Sequence, residues 1–134
     1  MKDETMRHVL TTTRRIALVG ASDRPNRASH EVMGYLLRKG YDVTPVNPVL
    51  AGREIWGRTV VASLAEAAPL EMVELFRRAE EVGAPVDEAI ALGARSIWMQ
   101  LGIVNEAVAA KARRAGLEVV MDACPAIEIP RLGL

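Results

Sequence analysis

The 134-residue sequence has little cysteine, little histidine and no net charge, and each shortage excludes a class of protein. With one cysteine, Cys124, and two histidines, the chain can form no internal disulfide, and a structural zinc site is not expected. Its 17 basic and 17 acidic residues cancel, so the charge gives no indication of a nucleic-acid partner. No apolar run approaches the roughly 20 residues that span a bilayer, and the N-terminal residues lack the apolar centre of a signal peptide. We therefore expect a cytoplasmic protein with no membrane or nucleic-acid partner.

The composition predicts one domain with one core. Half of the residues are apolar and a quarter are charged, which is typical of a globular chain. A chain of this length can bury roughly two-thirds of the surface that it exposes when unfolded. We treat residues 1–134 as a single domain, with residues 1–13 as an N-terminal extension that contains a short helix near Asp3–Thr11.

One unit occurs three times along the chain: a helix ends at a glycine, and an apolar strand begins shortly afterwards. The three glycines, Gly40, Gly93 and Gly116, stand where helices commonly end in a left-handed residue. The strands that follow are continuous apolar runs, which are typical of a sheet covered on both faces.

The sequence predicts alternating strands and helices. Five strands are expected near Arg15–Gly20, Asp42–Asn47, Glu71–Phe76, Ser96–Leu101 and Glu118–Asp122. Helices are expected near Ser29–Lys39, Pro85–Leu92 and Val104–Ala115, with a short strand near Arg58–Val61 and a short helix from Ser63. Pro125 is expected only to end the last strand. The alternation predicts an α/β fold: a single-domain, doubly wound parallel sheet, Rossmann-like, with about five strands and helices on both faces.

The turn after the first strand is suited to an anionic ligand. Parallel sheets bind ligands beyond the carboxyl ends of their strands, near the point where the strand order reverses. If the first strand is central, Gly20, Ala21 and Ser22 lie at this point, and their small size lets the main chain approach a ligand. Free amides at the start of the next helix favour a negative charge.

Arginines follow the strands at the same predicted edge. The residues just beyond the strand ends include Ser22, Arg24, Arg27, Asn47, Pro48, Arg53, Arg77 and Arg78. Arginine binds phosphate through a planar fork of donors, and such contacts are stronger than neutral hydrogen bonds. The sequence therefore predicts a phosphorylated nucleotide as the ligand.

Two common nucleotide motifs are missing. Of the G-x-G-x-x-G fingerprint for NAD, only the first glycine, Gly20, is present, and the second strand ends at Asn47 where an acidic residue would bind the ribose. The phosphate-binding motif G-x-x-x-x-G-K-S/T does not occur. Both observations count against NAD and against a Walker-type site.

Long segments of the chain resemble one known family. The segments are VGASDRPNRASHEVMGYLLRKGYDVTPVNP, GREIWG, VELFRRAE and SIWMQLGIVNEAVAAKARRAGLEVVMDACPAIEIPRL. From Arg14 to Leu132 they resemble the stand-alone CoA-binding proteins, which are similar to the CoA-binding domain of the succinyl-CoA synthetase alpha chain. The resemblance implies coenzyme A as the cofactor, bound as CoA or as an acyl-CoA.

The resemblance also implies a role for individual residues. By this resemblance, the CoA phosphates would be bound by Gly20, Ala21, Ser22 and Arg27. The adenosine part of CoA would lie against Asn47 and Pro48, and Arg53 would reach its 3′-phosphate. The groove for the ribose, the diphosphate or the pantetheine arm would be shaped by Phe76, Arg77, Gln100, Leu101 and Gly102.

The sequence favours a binding module over an enzyme. Acyl or phosphoryl transfer needs a nucleophile with a base in reach, and no Ser–His–acid or Cys–His pair is predicted at the strand ends. We expect that the protein binds CoA without evident catalysis of its own. It could do so as a single chain, as a homodimer or together with a partner enzyme. The alternative is a small nucleotide-dependent enzyme, an NAD(P)-type oxidoreductase or a CoA transferase-like protein, with Cys124 or His30 as the catalytic residue.

Overall fold

The computed structural model describes residues 2–134, and its centre is a five-stranded parallel sheet. The strands in the sheet and in a separate two-stranded hairpin are β1 Arg15–Val19, β2 Asp42–Val46, β3 Glu54–Ile55, β4 Arg58–Thr59, β5 Met72–Leu75, β6 Ser96–Met99 and β7 Glu118–Val120. The spatial order of the sheet is β2-β1-β5-β6-β7, and β3 pairs with β4 in the antiparallel hairpin. The predicted fold class is confirmed. Met1, in the predicted extension, lies outside the described residues.

Three helices cover each face of the sheet. The helices are α1 Lys2–Thr12, α2 Ala28–Arg38, α3 Leu64–Ala67, α4 Gly83–Ala91, α5 Glu106–Arg114 and α6 Pro125–Arg131. Helices α1, α2 and α6 pack on the face that we call the first face, and α3, α4 and α5 pack on the second face. A short 3-10 helix, Ala79–Glu81, follows β5.

The strands alternate between the two cores. In β1, Ile16 and Leu18 point to the first face, whereas Ala17 and Val19 point to the second, and all four are buried. Because side chains alternate along a strand, a sheet with two covered faces needs apolar residues at consecutive positions. This explains why the strands read as continuous apolar runs.

The C-terminal helix corrects one sequence prediction. Pro125 does more than follow a strand: it occupies the first turn of α6, where its missing amide costs no hydrogen bond. Pro130 lies inside the same helix, so the segment lacks the usual signature of a helix. The predicted strand near Arg58–Val61 is also shorter, because β4 ends at Thr59 and Val61 forms only an isolated bridge to Val46.

The N-terminal helix α1 contributes to the core of the first face. Met6, Val9 and Leu10 are buried there. Arg131 of α6 binds Asp3 at 2.8 Å and ties the start of α1 to the C-terminal helix. No helix in residues 2–134 has both the length and the apolar character to cross a bilayer.

Candidate functional site

The strand order reverses between β1 and β5. From β1 the chain moves outward to β2 on one side and later returns to β5 on the other side. This arrangement leaves a crevice beyond the carboxyl ends of β1 and β5, which is where doubly wound sheets bind ligands. Gly20 follows β1 and Phe76 follows β5, and both line the crevice.

Gly20 allows two strand ends to approach closely. Its φ of +87° is a conformation that side chains disfavour, and a Cβ here would lie 2.1 Å from the carbonyl oxygen of Phe76. Its amide donates to the carbonyl of Val46 at 3.1 Å, which ties the turn to β2. The carbonyl of buried Ala21 accepts a hydrogen bond from the Asn47 side chain at 2.8 Å. The turn is therefore held rigidly, with its main chain at the floor of the crevice.

The first turn of α2 opens toward the crevice without a side-chain cap. Arg27, at the N-cap position, has an extended backbone, and its side chain makes no capping hydrogen bond. Ala28 and Ser29 come next and line the crevice. The amides of a first helical turn have no partner within the helix, and the helix dipole is positive there. This end of α2 is therefore suited to bind an anion.

The crevice has a volume of about 650 Å³ and takes its lining from segments that follow β1, β2, β5 and β6. The predicted site residues that line it are Gly20, Ala21, Ser22, Arg27, Asn47, Phe76, Arg77, Gln100 and Leu101. The topology therefore brings nine of the predicted residues to one place. Their contact with CoA stays a prediction.

Three predicted residues lie outside this lining. Pro48 lines a separate pocket of about 160 Å³ at the end of β2. Arg53 is exposed and pairs with Asp23, with a nitrogen–oxygen distance of 3.3 Å. Gly102 donates its amide to the carboxylate of Asp122 at 2.7 Å. A residue that follows a strand can be assigned from the sequence to the carboxyl edge of the sheet. The direction of its side chain depends on the conformation of the loop, which the position of the strand end does not predict.

The crevice carries excess positive charge. Within residues 2–134, Arg24, Arg27 and Arg77 form no ion pair with a carboxylate, whereas Arg78 pairs with glutamates of the 3-10 helix that follows it. Asp23 is the single acidic residue among the described lining residues, and it is already paired. Three guanidinium groups therefore remain to bind an anion.

Sequence reasoning missed part of the lining. The missed residues are Asp23, Ala28, Ser29, Val49, Leu50 and Ile103. Val49 is 86% exposed, and Leu101, which was predicted, is 56% exposed, so apolar surface borders the charged floor. The available signal was Val49, an apolar residue in a loop, which packs in neither core, whereas its neighbour Leu50 packs against the core of the first face.

A carboxyl group is buried beneath the crevice. Glu74 lies in β5 between Leu18 of β1 and Trp98 of β6, and it is fully buried. Neither of its side-chain oxygens has a hydrogen-bond partner. Burial raises the pKa of Glu74 well above its ordinary value, and the nearby Cys124 raises this pKa further. Glu74 was not among the predicted site residues, although a charged residue inside an apolar strand was a visible signal.

Cys124 and the two histidines do not form a catalytic pair in this structure. Cys124 is buried at the N-cap of α6. His8 shares a hydrogen bond of 2.8 Å with the carboxylate of Glu118, and His30 lies against Trp56 with ring centroids 4.9 Å apart. Within residues 2–134, no three His, Cys, Asp or Glu side chains form a group that could hold a metal ion. The enzymatic alternative therefore gains no support from these contacts.

Most of the chain matches a known family of domains. Residues 14–130 match a family described as a CoA binding domain. Protein YneT of Bacillus subtilis (strain 168) is 38% identical over 120 residues, which cover 89% of this chain and 87% of YneT.

Solved structures share the fold. A hypothetical protein from Pyrococcus horikoshii OT3 is 40% identical, with a TM-score of 0.92 and coverage of 100% of this chain and 94% of that chain. A dinucleotide-forming acetyl-coenzyme A synthetase 1 from Ca. Korarchaeum cryptofilum has a TM-score of 0.70 over 82% of this chain and 26% of that chain. At 20% identity, the likeness to the synthetase shows a shared fold alone.

Proposed function

This chain belongs to the family of CoA-binding domains, and we propose that the crevice beside Gly20 holds the phosphate groups of CoA or an acyl-CoA. One observation carries the proposal: three unpaired guanidinium groups, on Arg24, Arg27 and Arg77, share the crevice with the uncapped start of α2. Both features favour a ligand that bears several negative charges.

We assign the diphosphate to the floor of the crevice, above the Gly20 turn. The small residues of this turn leave the main chain open to close approach. The Ser22 hydroxyl oxygen accepts a hydrogen bond from the Arg24 amide at 3.1 Å, which holds the backbone in place. A preformed turn binds with little loss of conformational entropy.

We assign the adenosine side to the loop at residues 47–50. Both polar groups of the Asn47 side chain are used inside the protein: its amide donates to Ala21, and its oxygen accepts from the Val49 amide at 2.9 Å. Asn47 therefore shapes this loop, and exposed Val49 offers apolar contact to an adenine ring. Pro48 belongs to this side through its place in the loop.

We assign the pantetheine arm to the opposite wall, which follows β5 and β6. Phe76 and Leu101 offer apolar surface, and Gly102 lets the chain turn away after β6. The side-chain oxygen of Gln100 is buried and has no hydrogen-bond partner. A rotation of the Gln100 side chain toward the crevice would let this oxygen accept a hydrogen bond from an amide of pantetheine, which would remove the cost of leaving it unpaired.

The proposed activity is binding without chemistry by this chain. The described residues bring no nucleophile and base together at the crevice, and the binding groups surround phosphate rather than a reacting bond. The protein would then act as a carrier, a sensor or a subunit beside a partner enzyme, and it should bind CoA without turning it over.

Replacing Arg27 or Arg77 with alanine is expected to weaken CoA binding by about 1.5–3 kcal/mol each, or about 10- to 150-fold. Each guanidinium would make charge-assisted contacts with phosphate that alanine cannot replace. Isothermal titration of the purified protein with CoA, acetyl-CoA, NAD and NADP measures the effect and the choice of ligand.

Arg78→Ala is the matched control for these two variants. Arg78 lines the same crevice but is exposed and already faces the glutamates of the 3-10 helix, so its loss should change CoA affinity little. Unchanged affinity in both Arg27→Ala and Arg77→Ala would contradict the phosphate assignment. Saturable binding of NAD or NADP with no binding of CoA would overturn the proposed function.

Arg53→Ala is expected to reduce the preference for CoA over dephospho-CoA by up to about tenfold if Arg53 reaches the 3′-phosphate. Because Arg53 also neutralises Asp23, its loss exposes a carboxylate that repels both ligands. The ratio of the two affinities is therefore the informative quantity. An equal loss for CoA and dephospho-CoA would show that Arg53 acts only through Asp23.

A further inference from the structure

One edge of the sheet is open. Strand β7 ends the strand order and pairs only with β6. The Glu118 amide donates to the carbonyl of Arg95, toward β6. Because main-chain groups alternate in direction along a strand, the amide and carbonyl of Val119, the middle residue of β7, point away from β6. No strand within residues 2–134 pairs with them.

A groove of about 600 Å³ runs along this edge. Helix α1 borders it on the first face through Lys2 and Thr5, and α5 borders it on the second face through Glu106 and Arg113. Val104, which is 45% exposed, adds apolar surface beside the strand. The groove shares no lining residue with the CoA crevice, so the two surfaces are separate.

The charges that border the groove change sign from one end of β7 to the other. Both flanking helices run antiparallel to β7. On the first face, Lys2 lies at the carboxyl end of the strand, and Glu118 lies at its amino end, where α1 contacts it through His8. On the second face the order is reversed, with Glu106 at the carboxyl end and Arg113 at the amino end.

This pattern is complementary to itself. If two copies placed their β7 strands side by side and antiparallel, a twofold axis normal to the sheet would bring the carboxyl end of one strand to the amino end of the other. Lys2 would then face the partner's Glu118, and Glu106 would face the partner's Arg113. Within residues 2–134, neither Glu106 nor Arg113 forms an ion pair, so both are available for this contact.

We propose that this chain forms a homodimer through the free edge of β7, in which two antiparallel β7 strands join the two sheets into one continuous sheet. Main-chain hydrogen bonds supply the pairing, as in other cases of strand addition. Lys2, Glu106, Arg113 and Glu118 of each copy set its direction, whereas the fifth charged residue of the lining, Asp122, accepts the Gly102 amide of its own chain. Pairing also covers an edge that would otherwise be open to unspecific association. The two crevices then lie at opposite ends of the dimer and bind independently.

The test exchanges the charges of the second face. Arg113→Glu and Glu106→Arg, each alone, place like charges opposite each other in a homodimer, so each should raise the dimer dissociation constant at least tenfold. An equimolar mixture of the two variants should form a heterodimer, because every position then meets its opposite charge. The double variant Arg113→Glu/Glu106→Arg should dimerise as the wild type does. Sedimentation equilibrium over a range of concentrations measures all four.

Arg114→Glu is the matched control. Arg114 is exposed and does not line the groove, and its replacement by glutamate changes the net charge as much as Arg113→Glu does. This variant should therefore remain dimeric. CoA affinity should be unchanged in every variant, which shows that each is folded and separates this test from the proposed function. A wild-type protein that is monomeric at every concentration, or equal dissociation of the Arg113 and Arg114 variants, would overturn the proposal.

Discussion

Replacing Glu74 with glutamine is expected to raise the free energy of unfolding at neutral pH, by an amount that grows with pH. In the unfolded chain Glu74 ionises near its ordinary pKa of about 4.3. In the folded chain burial raises the pKa of Glu74 well above that value, so the folded state keeps the proton longer. The Glu74 contribution to stability is therefore complete below the unfolded pKa and is lost as the pH rises toward the folded pKa. The loss is about 1.4 kcal/mol per pH unit for one proton.

Glutamine has nearly the same shape and does not ionise in this pH range, so the variant should lack this pH dependence. Urea unfolding of both proteins between about pH 5 and pH 8 measures the difference. A difference that stays constant across this range would show that Glu74 titrates in the folded protein as it does in the unfolded chain.

Glu71→Gln is the control with the opposite sign. Glu71 accepts hydrogen bonds from the amides of Arg14 and Arg15 at 2.8 and 3.2 Å, and Arg95 lies 3.1 Å away. The Arg14 hydrogen bond is the main cause that lowers the pKa of Glu71. The stabilisation that Glu71 contributes is present above the ordinary pKa of a glutamate, and it is lost as the pH falls through the lowered pKa of Glu71 in the folded protein. Glu71→Gln should therefore destabilise the protein at neutral pH, where Glu74→Gln stabilises it.

The neutral form of Glu74 also suits a phosphate site. Glu74 lies on the first face, one pleat below Phe76, which is on the floor of the crevice. An ionised carboxylate there would repel phosphate, whereas a protonated one leaves the charge of the arginines uncompensated. Glu74→Gln should consequently bind CoA as the wild type does, even though its stability changes.

The sequence was sufficient to predict the parallel sheet because each strand carries its own local signals. The predicted β1 extends one residue beyond the observed strand, and glycines end the helices before β2, β6 and β7. Asn105 caps the start of α5, where its side chain accepts a hydrogen bond from the Val108 amide at 3.1 Å. Helix α6 was missed because two prolines dominate its seven residues, and a proline is a weaker signal for a helix start than for a strand end.

The candidate site could be predicted only as far as topology determines it. Gly20, Arg27 and Arg77 follow strand ends, and any doubly wound sheet brings such residues to one edge. Arg53 lies in a long loop, and its pairing with Asp23 depends on a conformation that no local pattern specifies. The burial of Glu74 depends on the helices that cover the first face of the sheet, which is a tertiary property.

Replacing Gly20 with alanine is expected to destabilise the protein by about 3–5 kcal/mol. A side chain at φ +87° costs about 1–2 kcal/mol by itself. The added methyl group would also lie 2.1 Å from the Phe76 carbonyl oxygen, which is main chain and cannot rotate away. The ends of β1 and β5 must then separate, and this weakens the 2.9 Å hydrogen bond from the Phe76 amide to the Val19 carbonyl.

Gly40→Ala separates the two causes, because Gly40 has a similar φ of +99° and no atom within 4 Å of an added Cβ. It should lose only the conformational cost, about 1–2 kcal/mol in urea unfolding, and should bind CoA normally. Gly20→Ala should lose clearly more stability, and its CoA affinity should fall more than tenfold because the floor of the crevice moves. Equal losses in the two variants would mean that β1 and β5 accommodate the methyl group, and that the close approach at Gly20 does not define the site.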